Sequence, residues 1–309
     1  MKPKLTSSPR PAKDYQTAVS RFNALRSRYS AEPLNPTCYD RLLTHGERVE
    51  TAVVLFHGLT NCPRQFSQLG DLLHEQGYNV LIPRVPYHGH ANTLTTALQA
   101  LTASQLANLA DEAIDIAQGL GEHVVVMGLS MGGVLTGWVT QFRADVTATI
   151  LLSPAFGVAV FPVERTRPLT NLSRILPNRF MWWDPENEAS GPGPDHAYPR
   201  FATRALAEVM HLGFFMQDKA KSTPPAVRNI TIVHNPNDEA ISHPMVEQVR
   251  TLWSRPEVQL RTYEMDAALG VTHDFIEPED STQNIAAVYP ILLELVNQAA
   301  PKTDTVPAA

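Results

Sequence analysis

Apolar and polar positions along this chain follow two alternating rhythms. Short runs rich in β-branched residues predict strands buried on both faces: Ala52-Val-Val-Leu-Phe-His57, Tyr78-Asn-Val-Leu-Ile82, His123-Val-Val-Val-Met127 and Thr147-Ala-Thr-Ile-Leu-Leu-Ser153. Between them, residues 65–76 and 104–118 carry apolar stripes at helical spacing, closed by Gly77 and Gly119 as helix stops. Residues 15–25 predict a short helix, and Cys38-Tyr-Asp-Arg-Leu-Leu43 an edge strand turning at His45-Gly46-Glu47. Strands recur at 230–234 and 258–263, and a last helix spans about 282–297. Such alternation predicts an α/β fold with a mostly parallel sheet and helices on both faces.

The rhythm breaks between Pro154 and Pro225. That segment is rich in proline, yet it also holds Phe156, Phe161, Trp182, Trp183, Phe214 and Phe215. It is too long for a plain connection and too apolar for a linker, which predicts a helical cap (154–225) over the sheet. The core is then 14–153 with 226–299. Residues 1–13 and 300–309, rich in Pro, Lys, Ser and Thr, are expected to be a disordered tail and a flexible tail.

Composition narrows the class. In 309 residues, 43% are hydrophobic and 18% charged, as in a soluble core-forming protein. A net charge of −6 without a basic cluster argues against nucleic acid as partner. No apolar run reaches spanning length and none follows the early lysines as a signal would, so a cytoplasmic protein without integral membrane association is expected. Cys38 and Cys62 are too few for a disulfide framework; two reduced thiols are expected, with a single bridge as the alternative. The His88-Gly89-His90 pair lacks further ligands, so no metal is expected, and Cys62 reads as a small packing residue.

The chemistry concentrates at Gly128-Leu-Ser130-Met-Gly132. A serine between a buried strand and a helix takes a strained turn, and glycines two before and two after let the backbones pass closely. Its hydroxyl then stands at a helix N-terminus, whose N–H groups favour developing negative charge. Serine alone is a poor nucleophile and needs a base oriented by a carboxylate. His273, after the last strand, is the candidate base. Asp238, just past the preceding strand, is the candidate acid, with Glu239 its substitute. Both belong on the sheet rim that carries Ser130, where open α/β sheets place their sites. Charge on a tetrahedral intermediate needs backbone donors, each worth about 10²–10³ in rate. The N–H of Met131 is one candidate; the other comes from the loop after His57, with Leu59 chosen and Thr60 the neighbouring alternative.

The elbow, the Phe56-His57-Gly58-Leu-Thr loop, Pro86-Tyr-His-Gly-His90, Asp238 with Ile241, and Thr272-His273-Asp together resemble the α/β-hydrolase superfamily. Within it they are most similar to the bacterial carboxylesterase and monoacylglycerol-lipase group, over roughly residues 40–297. The resemblance implies a serine hydrolase of carboxylic esters with no cofactor. A small-molecule ester is the expected partner, and a monomer or weak homo-oligomer the expected state. It implies the stated roles for Ser130, Asp238, His273, Leu59 and Met131. The crowded cap suggests an apolar pocket for a short to medium acyl chain, with Trp182, Trp183, Phe214 and Phe215 as candidate substrate-binding residues. A monoacylglycerol-like ester is among the candidates. One departure stands out: where the family usually has Gly before the acid, this chain reads Asn235-Pro-Asn-Asp238. Acyl transfer and thioester or amide cleavage use the same residues and remain alternatives. A ligand receptor on this scaffold would be expected to lack one of the three.

Overall fold

The computed structural model describes residues 5–28, 31–186 and 193–301. Its elements run α1 (Tyr15–Ser27), β1 (Arg41–Leu43), β2 (Val49–Phe56), α2 (Ser67–Glu75), β3 (Asn79–Ile82), α3 (Ala103–Leu120), β4 (Gly121–Leu129), α4 (Met131–Phe142) and β5 (Ala148–Leu152). They continue with α5 (Val163–Ile175), β6 (Phe180–Trp182), β7 (Arg200–Ala202), α6 (Thr203–Ala220), β8 (Asn229–His234), α7 (His243–Trp253), β9 (Gln259–Glu264) and α8 (Ile285–Ala299).

Seven strands form one sheet in the order β1-β3-β2-β4-β5-β8-β9, all parallel except β1, which runs antiparallel to β3. Alternation along the strands divides the core in two. Val54, Phe56, Val124 and Val126 face α1, α3, α4, α6 and α7, while Val53, Leu55, Val125 and Met127 face α2 and α8. Both faces are therefore covered by helices, and this is the α/β-hydrolase fold expected from the motifs. Among the described residues no helix is long and apolar enough to cross a membrane.

Several expectations are corrected. Gly119 does not end its helix: α3 runs on to Leu120 and passes directly into β4. The glycine is there for contact, since a Cβ would lie 2.5 Å from Asp14 O and 2.9 Å from the Cβ atoms of Ala12 and Ala18. Gly77, by contrast, follows α2 with φ +95°, as a helix stop requires. Residues 5–13 are not a disordered tail. Leu5 and Ala12 are buried, the Trp138 indole donates to Leu5 O at 2.7 Å, and Arg10 N–H donates to the Asp115 carboxylate at 3.0 Å. Composition alone misses this because the segment is held by partners far along the chain. Residues 1–4 and 302–309 lie outside the described residues.

The segment between β5 and β8 is not helical throughout, since β6 and β7 form an antiparallel pair between α5 and α6. Its α6 is drawn into the core, with Ala205, Val209, Leu212 and Met216 buried. The cysteines, expected reduced, are joined: Cys38 and Cys62 form a disulfide with Cα atoms 5.3 Å apart, both sulfurs fully buried. Cys38 lies in the turn before β1 and Cys62 in the loop after β2. Their meeting depends on which strand pairs with which, and the spacing does not reveal it.

Candidate active site

Ser130 is the single residue between β4 and α4, with φ +57° and ψ −112°. A non-glycine residue there costs about 1–3 kcal/mol and persists only where its surroundings impose it. Here they do. A Cβ on Gly132 would sit 1.9 Å from Phe56 O, and one on Gly128 would sit 2.3 Å from Gly132 O, so both crossings need glycine. The end of β5 holds the elbow from the other side, with Ser130 N–H donating to Leu152 O at 3.0 Å and Ala155 N–H to Ser130 O at 3.1 Å.

His273 stands in the connection from β9 to α8, and its Nδ1 bonds Asp238 Oδ2 at 2.7 Å. The Asp238 side chain is fully buried and that of His273 is 22% exposed. Burial alone would raise Asp238, but the bond and charge of His273 outweigh it and hold the carboxyl below the usual range. Burial alone would lower His273, but the same partner outweighs it and raises the imidazole above its ordinary value. With Asp238 ionised, the imidazole proton sits on Nδ1 and Nε2 keeps its lone pair. Glu239, the substitute for the acid, is exposed, and Asp274, next to the base candidate, accepts from Gln65 Nε2.

The Asn235 that replaces the family's usual glycine has a job of its own. Its Nδ2 donates to Val271 O at 3.1 Å and Thr272 O at 2.8 Å, tying the acid turn to the residues just before His273. His243 Nε2 donates to Asp238 O at 2.7 Å, and its Nδ1 then accepts from His234 Nε2 at 3.0 Å. Sequence reasoning missed both residues. The Asn235 departure was visible as a signal, but its partners were not.

The loop after β2 is hydrogen-bonded within itself. Val85 N–H donates to His57 Nε2 at 3.1 Å, so His57 carries its proton on Nδ1 and donates to Gly58 O at 2.9 Å. Burial pushes this imidazole well below its ordinary value and keeps it neutral. Gly58 N–H donates to Gln65 Oε1, Asn61 N–H to Gly58 O, and Cys62 N–H to Asn61 Oδ1. Those amides are committed within the loop. Leu59, the chosen donor, and Thr60, which has φ +70°, lie between them.

Ser130, His273, Leu59, Thr60 and Met131 all line one cavity of about 270 Å³. Val158, Leu206, Val209 and Ile241 supply apolar wall, and Asn61, Asp274 and Asp280 polar wall. The segment between β5 and β8 meets the loop, with Trp183 Nε1 donating to Thr60 Oγ1 at 2.9 Å and Tyr198 N–H to Thr60 O at 2.8 Å. Of the four aromatic residues expected to bind substrate, only Trp183 lines this cavity. Trp182 pairs with Arg200 in the β6–β7 ribbon, and Phe215 stacks on Phe142. Phe214 lines a separate groove beside α7 with Arg167 over its ring. Aromatic content marks the cap's packing here, and smaller aliphatic residues line the site.

Comparison with known proteins agrees with this architecture. The family model described as the alpha/beta hydrolase family matches residues 53–288. A thermostable monoacylglycerol lipase from Bacillus sp. (strain H-257) is 25% identical over 122 residues, 40% of this chain. The match spans about half (48%) of that relative's length. Among solved structures, one from the work on the metagenome-derived lipolytic enzymes LipS and LipT superposes with TM-score 0.65 at 17% identity, covering 86% of this chain and 99% of that one. The monoacylglycerol lipase of Paleococcus ferrophilus gives 0.62 at 17% identity, over 84% and 98%. Est1E of Butyrivibrio proteoclasticus, with ferulic acid bound, gives 0.54 at 18%, over 85% and 95%. With the family model matching well over half its length, the chain belongs to the alpha/beta hydrolase family.

Proposed function

We propose that this protein is a serine hydrolase that cleaves carboxylic esters through an acyl-enzyme on Ser130. His273 Nε2 takes the proton from the Ser130 hydroxyl as its oxygen attacks the ester carbonyl. The N–H groups of Leu59 and Met131 stabilise the resulting oxyanion, Met131 doing so from the first turn of α4. The tetrahedral intermediate collapses and expels the alkoxide, to which His273⁺ returns the proton, so the alcohol leaves and the acyl group stays on Ser130. Water then repeats the sequence, with His273 as base, and releases the carboxylic acid. Asp238 holds the imidazole in the Nδ1–H tautomer throughout and stabilises its charged form.

One observation carries this reading: a strained Ser130 opens onto the same cavity as a histidine whose far nitrogen is bonded to a buried carboxylate. The similarity to a monoacylglycerol lipase and to lipolytic and esterase structures supports ester substrates. A cavity of about 270 Å³ with aliphatic walls suits an acyl group of short to medium length, monoacylglycerol-like esters included.

The test combines a fluorophosphonate probe with p-nitrophenyl esters of increasing acyl length. The native protein should be labelled on Ser130 and hydrolyse the shorter esters best. Ser130→Ala should lose the label and about 10⁶-fold in kcat. Unlabelled native protein, or an Ala variant as active as wild type, overturns the reading.

A further inference from the structure

Gln65 is fully buried in the turn Pro63–Phe66, which leads from the Leu59 loop into α2. A carboxamide at such a position is costly unless both its ends are bonded. Both are. Oε1 accepts the Gly58 N–H at 2.8 Å, and Nε2 donates to Asp274 Oδ1 at 3.0 Å. An N–H partner requires the oxygen and a carboxylate partner requires the NH₂, so the two contacts fix the amide's orientation together. Gly58 directly precedes Leu59, and Asp274 directly follows His273. One side chain thus spans the two loops whose separation decides whether oxyanion donor and base address the same carbonyl.

We infer that Gln65 is a positioning residue for the reaction, setting the oxyanion loop against the base loop; this rests on the roles proposed for Leu59, Ser130 and His273. It is not among the residues lining the cavity, so it acts through its neighbours. By occupying the Gly58 N–H it takes that donor out of use and leaves the task to the next amide. By bonding Asp274 it anchors the residue beside the base. Gly58, which Gln65 holds, stands beside the nucleophile: a Cβ there would lie 3.8 Å from Ser130 Cβ and 3.5 Å from Gln65 Oε1. A change at Gln65 therefore reaches the elbow through Gly58.

The test measures kcat and KM for a short p-nitrophenyl ester with wild type, Gln65→Met and Gln65→Glu, alongside fluorophosphonate labelling. Gln65→Met has similar length but neither bond. It should lose about 10–100-fold in kcat, the scale of a misplacement near 1 Å, with KM changed less than about threefold and Ser130 still labelled. Gln65→Glu still accepts from Gly58 but sets a carboxylate against Asp274; on protonation it regains a donor. Its kcat relative to wild type should therefore rise as the pH falls from about 8 to about 5.5. A Gln65→Met kcat within about twofold of wild type overturns the inference, as does a loss confined to KM. So does a Gln65→Glu to wild-type ratio that stays flat with pH, which also decides the matter if the Met variant does not fold. Ser130→Ala separates the two levels: if it retains hydrolysis, the underlying reading fails, whatever Gln65 does.

Discussion

At the scale of single residues, the proposed mechanism ties the pH behaviour to the bond between Asp238 and His273. As the proposed base His273 must be neutral to act, and its partner raises it above the ordinary imidazole value. Activity should therefore fall on the acid side of a midpoint above about pH 6.5. Asp238→Asn removes the carboxylate that raises His273 and favours the wrong tautomer. Its kcat should drop about 10³–10⁴-fold and the acid limb of kcat/KM should move to lower pH, read from a pH–rate profile. A rate flat between about pH 5 and 8 in wild type would contradict the assignment. Asn235→Gly restores the family's usual residue yet strips hydrogen bonds from two carbonyls beside the base, at a cost of about 1–3 kcal/mol by urea denaturation. That Ser130, Asp238 and His273 meet was legible in the sequence because each lies in the connection that follows a parallel strand, on one rim of the sheet. Gln65 and Asn235 were not, because their meaning lies in partners 209 and 36–37 residues away.

Among elements, the β4–α4 junction was read most fully, since a strand, one strained residue and a helix leave two glycines little freedom. Gly132→Ala would drive a methyl group into the Phe56 carbonyl, where the loop carrying Leu59 leaves β2. Backbone cannot yield there as a flexible side chain would. The variant should lose about 3 kcal/mol or more of stability, and its remaining folded fraction should label poorly with fluorophosphonate. Elements whose signal was composition alone fared worse. Prolines and polar residues at 5–13 suggested disorder, while the structure seats them on α3 and α4 through Asp111, Asp115 and Trp138. Aromatic residues suggested a pocket, yet Phe214 and Phe215 lie on α6, whose position is set by packing against α3, α4 and α5. Period and turn chemistry are local properties; what an exposed or aromatic residue meets is not.

Across the whole molecule, long-range ties converge on the loop that carries Leu59. Trp183 and Tyr198 hold it from the segment between β5 and β8, and His196 of that segment reaches Glu277, which also accepts from Asn61. The Cys38–Cys62 bridge fastens the loop's far end to the segment before β1. A buried disulfide of this kind suits an oxidising compartment better than a reducing one, which weighs against the cytoplasmic placement expected from the sequence. The protein denatured without reductant should accordingly show no titratable thiols, and two after reduction. The bridge joins residues 24 apart, and closing a loop of that length in the unfolded chain is worth about 3 kcal/mol. Cys38→Ser with Cys62→Ser should lower the urea midpoint by a corresponding amount and leave the slope of the transition little changed. Reductant should lower the wild-type midpoint to the same place, because both sulfurs are buried and become accessible as the chain opens. A double-Ser variant that unfolds at the wild-type urea concentration would mean that the unfolded chain gains nothing from release of this loop. The hydrogen bonds from Trp183 and Tyr198 would then be the ties that hold the Leu59 loop in place.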